Sequence, residues 1–374
     1  MRVEGYVAAG FEPVRDAFAQ NFELGLEQGA ASSVVLDGRV VVDLWAGTTG
    51  AATAATWQRH TIVNLMSVSK GVAALLVHAL CDQGRIDLDA RVADYWPAFA
   101  SGGKADVLVR HVLDHTAGLE VLTDPLRPGA VYDWAEMIRA IEEQELLHEP
   151  GSTPAYHTVT MSFLVGELVR RVTGTSYSRA LLDHVTGPAG ADFHVGLAAT
   201  DLARCARFVR WAGYNARGHG DDGPSDLLVQ AWAQFDPAHD DDFNSTQFRT
   251  AEIPGVNGHG NARAVAAIYA AALDGRLLSA SALDAATQLQ WFSTEPVLSH
   301  HYRMGLGLTL NSPDAYMGPH EEAFGHVGAG GSTGFADPVA GVAFAYGMNL
   351  MHPSRDNGPR ARRIIDALYG CLGT

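Results

Sequence analysis

Cysteine is scarce in this chain of 374 residues: Cys81, Cys205 and Cys371 are all there is, odd in number and far apart. That pattern excludes a disulfide framework and a zinc knuckle, and points to a reducing compartment. Long apolar runs are missing too. No stretch reaches the ~18 consecutive apolar residues of a membrane span. Residues 1–12 lack a charged start leading into an apolar core, so no secretory signal is expected. A cytoplasmic protein is the resulting expectation. Positive charge is also in short supply, with 26 Lys+Arg against 42 Asp+Glu and a net charge of -16. This argues against nucleic acid or an anionic membrane surface as partner and leaves neutral or cationic small molecules. There is no internal repeat, no low-complexity linker and no H-E-x-x-H, and His300, His301 and His320 lack metal-ligand spacing. Neither a metal nor another cofactor is expected. The acidic run 239–242 reads as a solvated loop.

What is present is a chain with 47% hydrophobic and 18% charged residues, which excludes disorder and exceeds one ordinary core in length. Its most informative stretch is Ser67-Val68-Ser69-Lys70, placed where an approach segment, residues 61–66, runs into the apolar helix text of residues 71–80. Residues three apart on a helix are neighbours, so a hydroxyl and an amine share one face. At the helix N-terminus, unpaired N–H groups and the dipole favour the negative charge that develops on an attacked carbonyl. A lysine one turn on can take the serine proton if burial lowers its pKa from a free value of about 10.4. On the four letters alone, a capping serine beside a solvated lysine is the favoured reading.

Two later segments decide between these readings. Residues 150–158 form a Pro/Gly-punctuated loop that delivers Tyr156 just before a second buried helix at residues 159–169. Residues 324–335, Phe-Gly-His-Val-Gly-Ala-Gly-Gly-Ser-Thr-Gly-Phe, are so rich in glycine that their backbone must closely approach something. Serine and lysine on a helix, tyrosine on a loop and a glycine-lined strand, in that order, resemble the class C β-lactamase superfamily. Within it the resemblance is to family VIII carboxylesterases and β-lactamase-related serine hydrolases. Residues 84–89 and 109–119 add to the match.

The resemblance implies Ser67 as acyl-accepting nucleophile, Lys70 as its proton partner, and Tyr156 as a phenol sharing the general-base role. It implies the N–H groups of Ser67 and Ala329 as oxyanion donors. It also places His326, Gly328 and Thr158 along the substrate. Two departures matter: His326-Val327-Gly328 stands where the lactamases carry K-T-G, and Thr158 where Asn is usual. The first removes the lysine that grips a β-lactam carboxylate and the second an amide that contacts the acylamide, and both turn the reading toward neutral esters. Gly330-Gly331-Ser332-Thr333-Gly334 also satisfies the G-x-S-x-G nucleophile elbow, but strand text follows it instead of a helix, so Ser332 is expected to be structural.

Along the chain, residues 14–27 read as an amphipathic helix and residues 33–45 as a hairpin around Asp37-Gly38. Residues 87–256 are mainly helical with long loops such as 218–226, strand text returns at 304–310 and 324–349, and residues 360–372 close as a helix. The fold class is α/β (α+β): an antiparallel sheet built from both termini and flanked by helices, residues 1–86 and 257–374, with an inserted mainly helical domain, residues 87–256. Tyr132 and Trp134 could shape an acyl pocket or pack in the core. Trp45, Trp211, Trp232 and Trp291 read as core or cleft walls, and His157 as pointing away from the site. The expected activity is cleavage of small-molecule carboxylic esters. Acyl transfer to an amine or alcohol is the alternative, then β-lactam or D-amino-acid peptide hydrolysis, and last a silent binding protein on the same fold.

Overall fold

Asp37 and Gly38 both have positive φ, 47° and 74°, as a two-residue hairpin turn needs if its twist is to match the strands it joins. In the computed structural model, which describes residues 2–50, 55–210, 225–235, 242–352 and 357–374, that hairpin lies in a nine-stranded antiparallel sheet. Numbered along the chain, the strands are β1 (Glu4–Val7), β2 (Gly29–Leu36), β3 (Arg39–Gly47), β4 (Val63–Asn64), β5 (Phe193–His194), β6 (Val209–Arg210), β7 (His259–Gly260), β8 (Trp291–Thr294), β9 (His301–Met304), β10 (Thr309–Leu310), β11 (Phe324–Val327), β12 (Thr333–Asp337), β13 (Val342–Met348) and β14 (Leu350–Met351). The large sheet has the order β1-β3-β2-β13-β12-β11-β10-β9-β8, so strands from the two ends of the chain meet where β2 pairs with β13. A small sheet, β4-β7-β5, sits at the entry to the Ser67 segment.

Strands β12 and β13 are buried along their whole length, which requires helices on both faces. The helix Ala262–Leu273 packs on β2, β12 and β13. Gly334 lets it come close, since a Cβ there would fall 2.4 Å from Val265 Cγ1. The first helix, Glu12–Glu23, packs against the last, Gly358–Leu372, with Asn21 Nδ2 donating to the Arg360 carbonyl at 3.2 Å. The helix Val68–Asp82 is buried from Val68 through Leu80. A fully buried Val or Leu contributes roughly 1.5–3 kcal/mol, so this helix is anchored by packing on all sides.

Two sequence expectations change, and others fall on residues that the structure does not describe. The first helix starts and ends earlier than residues 14–27, because Pro13 suits its first turn and Glu27 leads into β2. The strand expected over 304–310 is two strands, because Gly307 (φ 80°) and the Gly305 N–H to Leu308 O bond of 2.8 Å turn the chain between β9 and β10. Trp211, the loop 218–226 and the acidic run 239–242 fall outside the described residues, apart from Ser225, Asp226 and Asp242. Among the described residues, no helix is long and apolar enough to cross a membrane.

Candidate active site

The segment entering Ser67 is held in a conformation that side chains rarely adopt. Met66 has φ 49°, a left-handed geometry costing on the order of 1–3 kcal/mol and found where surrounding contacts over-determine the backbone. Those contacts are present. Asn64 Oδ1 accepts the Met66 N–H at 2.6 Å, and Ser69 Oγ donates to the Met66 carbonyl at 2.5 Å while accepting Gly258 N–H at 2.9 Å. Ser332 Oγ donates to the Leu65 carbonyl at 2.8 Å. Ser67 therefore emerges at the start of the Val68–Asp82 helix half-exposed, while Val68, Ser69 and Lys70 beside it are buried. Its hydroxyl makes no capping bond, which excludes the capping-serine alternative and leaves the oxygen available.

Lys70 has no exposed surface, which excludes the solvated-lysine alternative as well. Its Nζ lies 3.4 Å from Ser67 Oγ, 2.8 Å from the Thr158 carbonyl and 2.9 Å from the Gly255 carbonyl. Burial pushes its pKa down to about 7. In the neutral amine, two N–H bonds serve the two carbonyls and the lone pair is left for the Ser67 proton. The chain has two lysines, Lys70 and Lys104, so its one S-x-x-K carries more information than the motif does in an average sequence.

Tyr156 is buried, with its ring centroid 5.0 Å from Lys70 Nζ. Burial raises the phenol pKa far above its usual value. Burial thus acts in opposite directions on the two groups, favouring the neutral amine of Lys70 and the protonated phenol of Tyr156. The tyrosine loop is held by groups that the sequence reading did not select. Glu295 Oε2 accepts the Tyr156 N–H at 3.0 Å, the His115 carbonyl accepts Ala155 N–H at 2.9 Å, and His115 Nδ1 accepts His157 N–H at 3.1 Å. His115, itself at φ 63°, lays its ring 4.7 Å from that of Tyr156. It lies inside the segment 109–119 already matched by resemblance; Glu295 carries no motif and has no sequence signal. His157 bonds through Nδ1 to the Ala155 carbonyl of its own loop, at 2.7 Å.

His326 is buried on β11, with Nδ1 donating to the Val327 carbonyl at 2.7 Å and Nε2 3.5 Å from the Tyr156 hydroxyl. Burial first, and the nearby Lys70 charge second, push its pKa down to about 3. His115 and His157 are likewise depressed, mainly by burial. The three imidazoles are therefore neutral at pH 7, and none supplies a fixed cation.

The turn between β11 and β12 carries Ala329 directly after Gly328, which packs on Leu65 two residues before Ser67. Gly328 is obligatory here, because a Cβ would fall 2.4 Å from the Leu65 carbonyl oxygen and 2.2 Å from Ser332 Oγ. The N–H groups of Ser67 and Ala329 have no acceptor among the described residues. Ser332, by contrast, is buried and lies between two strands, with its hydroxyl committed to Leu65, so the elbow motif is a structural hairpin.

The remaining sequence candidates are placed differently. Thr158 contributes its carbonyl to Lys70, and its hydroxyl is buried without a hydrogen-bond partner among the described residues. Tyr132 donates to Asp242 Oδ1 at 2.5 Å and packs edge-on against Phe235, within the group of Trp232, Phe243 and Phe248. Trp134 donates to Glu167 at 2.8 Å, stacks on Phe163 and Arg170, and covers Gly166 of the helix Thr160–Thr173. These contacts pack both aromatic rings into the helical part, the alternative that the sequence reading set beside an acyl pocket.

Comparison with known proteins shows the family. The Beta-lactamase family model matches residues 18–369. The Esterase/beta-lactamase LipL of Mycobacterium tuberculosis is 32% identical over 368 residues, 92% of this chain and 82% of that protein. The crystal structure of a family VIII carboxylesterase superposes with a TM-score of 0.91 at 38% identity, covering 100% of both chains. A penicillin-binding protein homolog from Caulobacter crescentus superposes equally well, with a TM-score of 0.91, 34% identity and 100% of both chains covered. With its serine, lysine and tyrosine assembled at the start of one buried helix, the chain belongs to the beta-lactamase family and is a serine hydrolase.

Proposed function

We propose that the protein hydrolyses neutral carboxylic esters of short or medium acyl length through an acyl-enzyme on Ser67. The observation that carries this reading is a buried amine of pKa about 7, 3.4 Å from Ser67 Oγ, in a cluster whose other basic groups are neutral imidazoles. Ser67 Oγ attacks the ester carbonyl as its proton passes to Lys70 Nζ. The oxyanion is received by the N–H groups of Ser67 and Ala329. As the C–O bond breaks, Lys70 returns the proton to the leaving alcohol, with the Tyr156 hydroxyl donating a hydrogen bond to Ser67 Oγ or to the departing oxygen. Water then enters, gives a proton to Lys70 and attacks the acyl carbonyl, and Ser67 leaves with that proton.

A β-lactam would present a carboxylate to His326, whose depressed pKa keeps it neutral. A charge-assisted bond is worth about 1.5–3 kcal/mol, so lactams are the poorer substrates. The esterase named among the relatives supports the ester reading. We also place the enzyme in the cytoplasm, a reading supported by its three free cysteines. The test is turnover of p-nitrophenyl butyrate against a chromogenic cephalosporin, with intact-mass detection of acylated Ser67. Faster cephalosporin turnover overturns the ester assignment. Acyl transfer that outruns hydrolysis when an amine or alcohol is added makes the protein an acyltransferase.

A further inference from the structure

We propose that Arg360, paired with Glu27, is a positioning residue for the oxyanion-binding turn, joining the C-terminal helix to the peptide that follows Ala329. The proposal rests on the reading of Ser67 and Ala329 as oxyanion donors and extends it to residues with no contact to substrate.

Arg360 is buried at the start of the helix Gly358–Leu372, and its guanidinium ties the turn to the chain before β2 and to β14. Its Nη2 donates to the Gly330 carbonyl at 2.5 Å. Its Nη1 reaches the Leu350 carbonyl at 2.8 Å, the Leu26 carbonyl at 3.1 Å and Glu27 Oε2 at 3.1 Å. Glu27 accepts a further hydrogen bond from the Tyr346 hydroxyl on β13. The Gly330 carbonyl takes a second donor, His352 N–H, at 3.2 Å.

The turn needs such a tie. Gly330 and Gly331 have φ of 89° and 113°, and glycines in such regions have wide conformational freedom. Rotation there would swing the Ala329 N–H away from the carbonyl being attacked. The opposite side of the turn is already fixed to the nucleophile, because Ser332 Oγ holds the Leu65 carbonyl two residues before Ser67. Arg360 supplies the second fixed point. An apolar pair of similar volume holds helices and sheets together about as well as a buried ion pair. What it cannot supply is the donor at Gly330.

The experiment begins with wild-type protein and a fluorophosphonate probe. If Ser67 is not labelled, the hydrolase reading itself fails, independently of Arg360. With labelling established, the variants are Arg360→Lys, which keeps the charge on a single donor nitrogen in place of two, and the paired Glu27→Gln/Arg360→Met, which leaves no unpaired buried charge. Loss of one oxyanion donor costs about 10²–10³ in kcat, so a misdirected donor is expected to lower kcat about 10–100-fold in the paired variant. KM should stay within about threefold, and Arg360→Lys should fall between it and wild type. Affinity for an alkyl trifluoromethyl ketone, whose adduct with Ser67 carries an oxyanion, should drop by the same factor as kcat. A merely structural role would not link these two numbers. Wild-type kcat in either folded variant overturns the proposal, as does a fall in kcat with ketone affinity unchanged. If the paired variant does not fold, Arg360→Lys decides by the same two readouts.

Discussion

Glu295 Oε2 accepts the backbone N–H of Tyr156 at 3.0 Å, so a buried carboxylate from the connection between β8 and β9 fixes the loop that carries the active-site phenol. The same carboxylate accepts Val297 N–H at 2.9 Å and Leu298 N–H at 2.6 Å. Glu295→Ala would leave three buried donors unpaired at once. At about 1–3 kcal/mol each, the loss should be large in urea or thermal unfolding. Glu295→Gln keeps one amide oxygen and should recover part of it. Equal stability of Glu295→Ala and wild type would show that the loop does not depend on this anchor.

Replacing the two serines separates nucleophile from scaffold. Ser67→Ala should remove several orders of magnitude from ester turnover, roughly 5 kcal/mol or more of transition-state stabilisation, with little change in unfolding. Ser332→Ala should do the opposite, losing about 0.5–1.5 kcal/mol of stability as the Leu65 carbonyl is left with Val68 N–H alone, while keeping turnover within about tenfold. A reversed pattern in kcat would make the G-x-S-x-G serine the nucleophile.

The pH dependence follows from Lys70, whose pKa falls to about 7 on burial. Ester turnover should rise through pH 7 and level off above it, as the amine loses its proton. For stability the sign is the same. Between pH 7 and about 10.4 the unfolded chain binds a proton at Lys70 that the folded protein does not, so stability increases with pH across that window. Lys70→Met should abolish turnover, remove that rise, and stabilise the protein more at pH 6 than at pH 9. Melting temperatures at the two pH values check this, and an unaltered pH slope in the variant would place the titration elsewhere.

His326→Lys should raise the ratio of cephalosporin to ester turnover about tenfold, by giving the lactam carboxylate a charged donor. It also places a second cation close to Lys70, which favours the neutral amine, so the rising limb of the pH profile should move to lower pH. An unchanged substrate ratio would mean that a carboxylate in the site does not reach β11.

Local signals in the sequence carried further than their length suggests. Asp37-Gly38 specified its hairpin because both positions demand left-handed backbone, a property of two residues alone. Ser67 and Lys70 could be read together because three residues on a helix make neighbours, and the apolar run after them required burial. The strand text at 304–310 misled for the same local reason. Its alternation is real, but the turn at Gly307 is set by contact, since a Cβ there would fall 2.6 Å from Ala74 Cβ.

By itself, then, the sequence determined the elements and the chemical groups, through turn preference, helical spacing and hydrophobic period. Only the tertiary structure decided what those groups are. The pKa of Lys70 falls because it is buried where the carbonyls of Thr158 and Gly255, 88 and 185 residues away, accept its N–H bonds. Glu295 reaches Tyr156 across 139 residues, and Arg360 reaches Gly330 from a different element. No periodicity encodes such pairings, because each depends on where two independently stable elements pack, and a pKa follows from that packing.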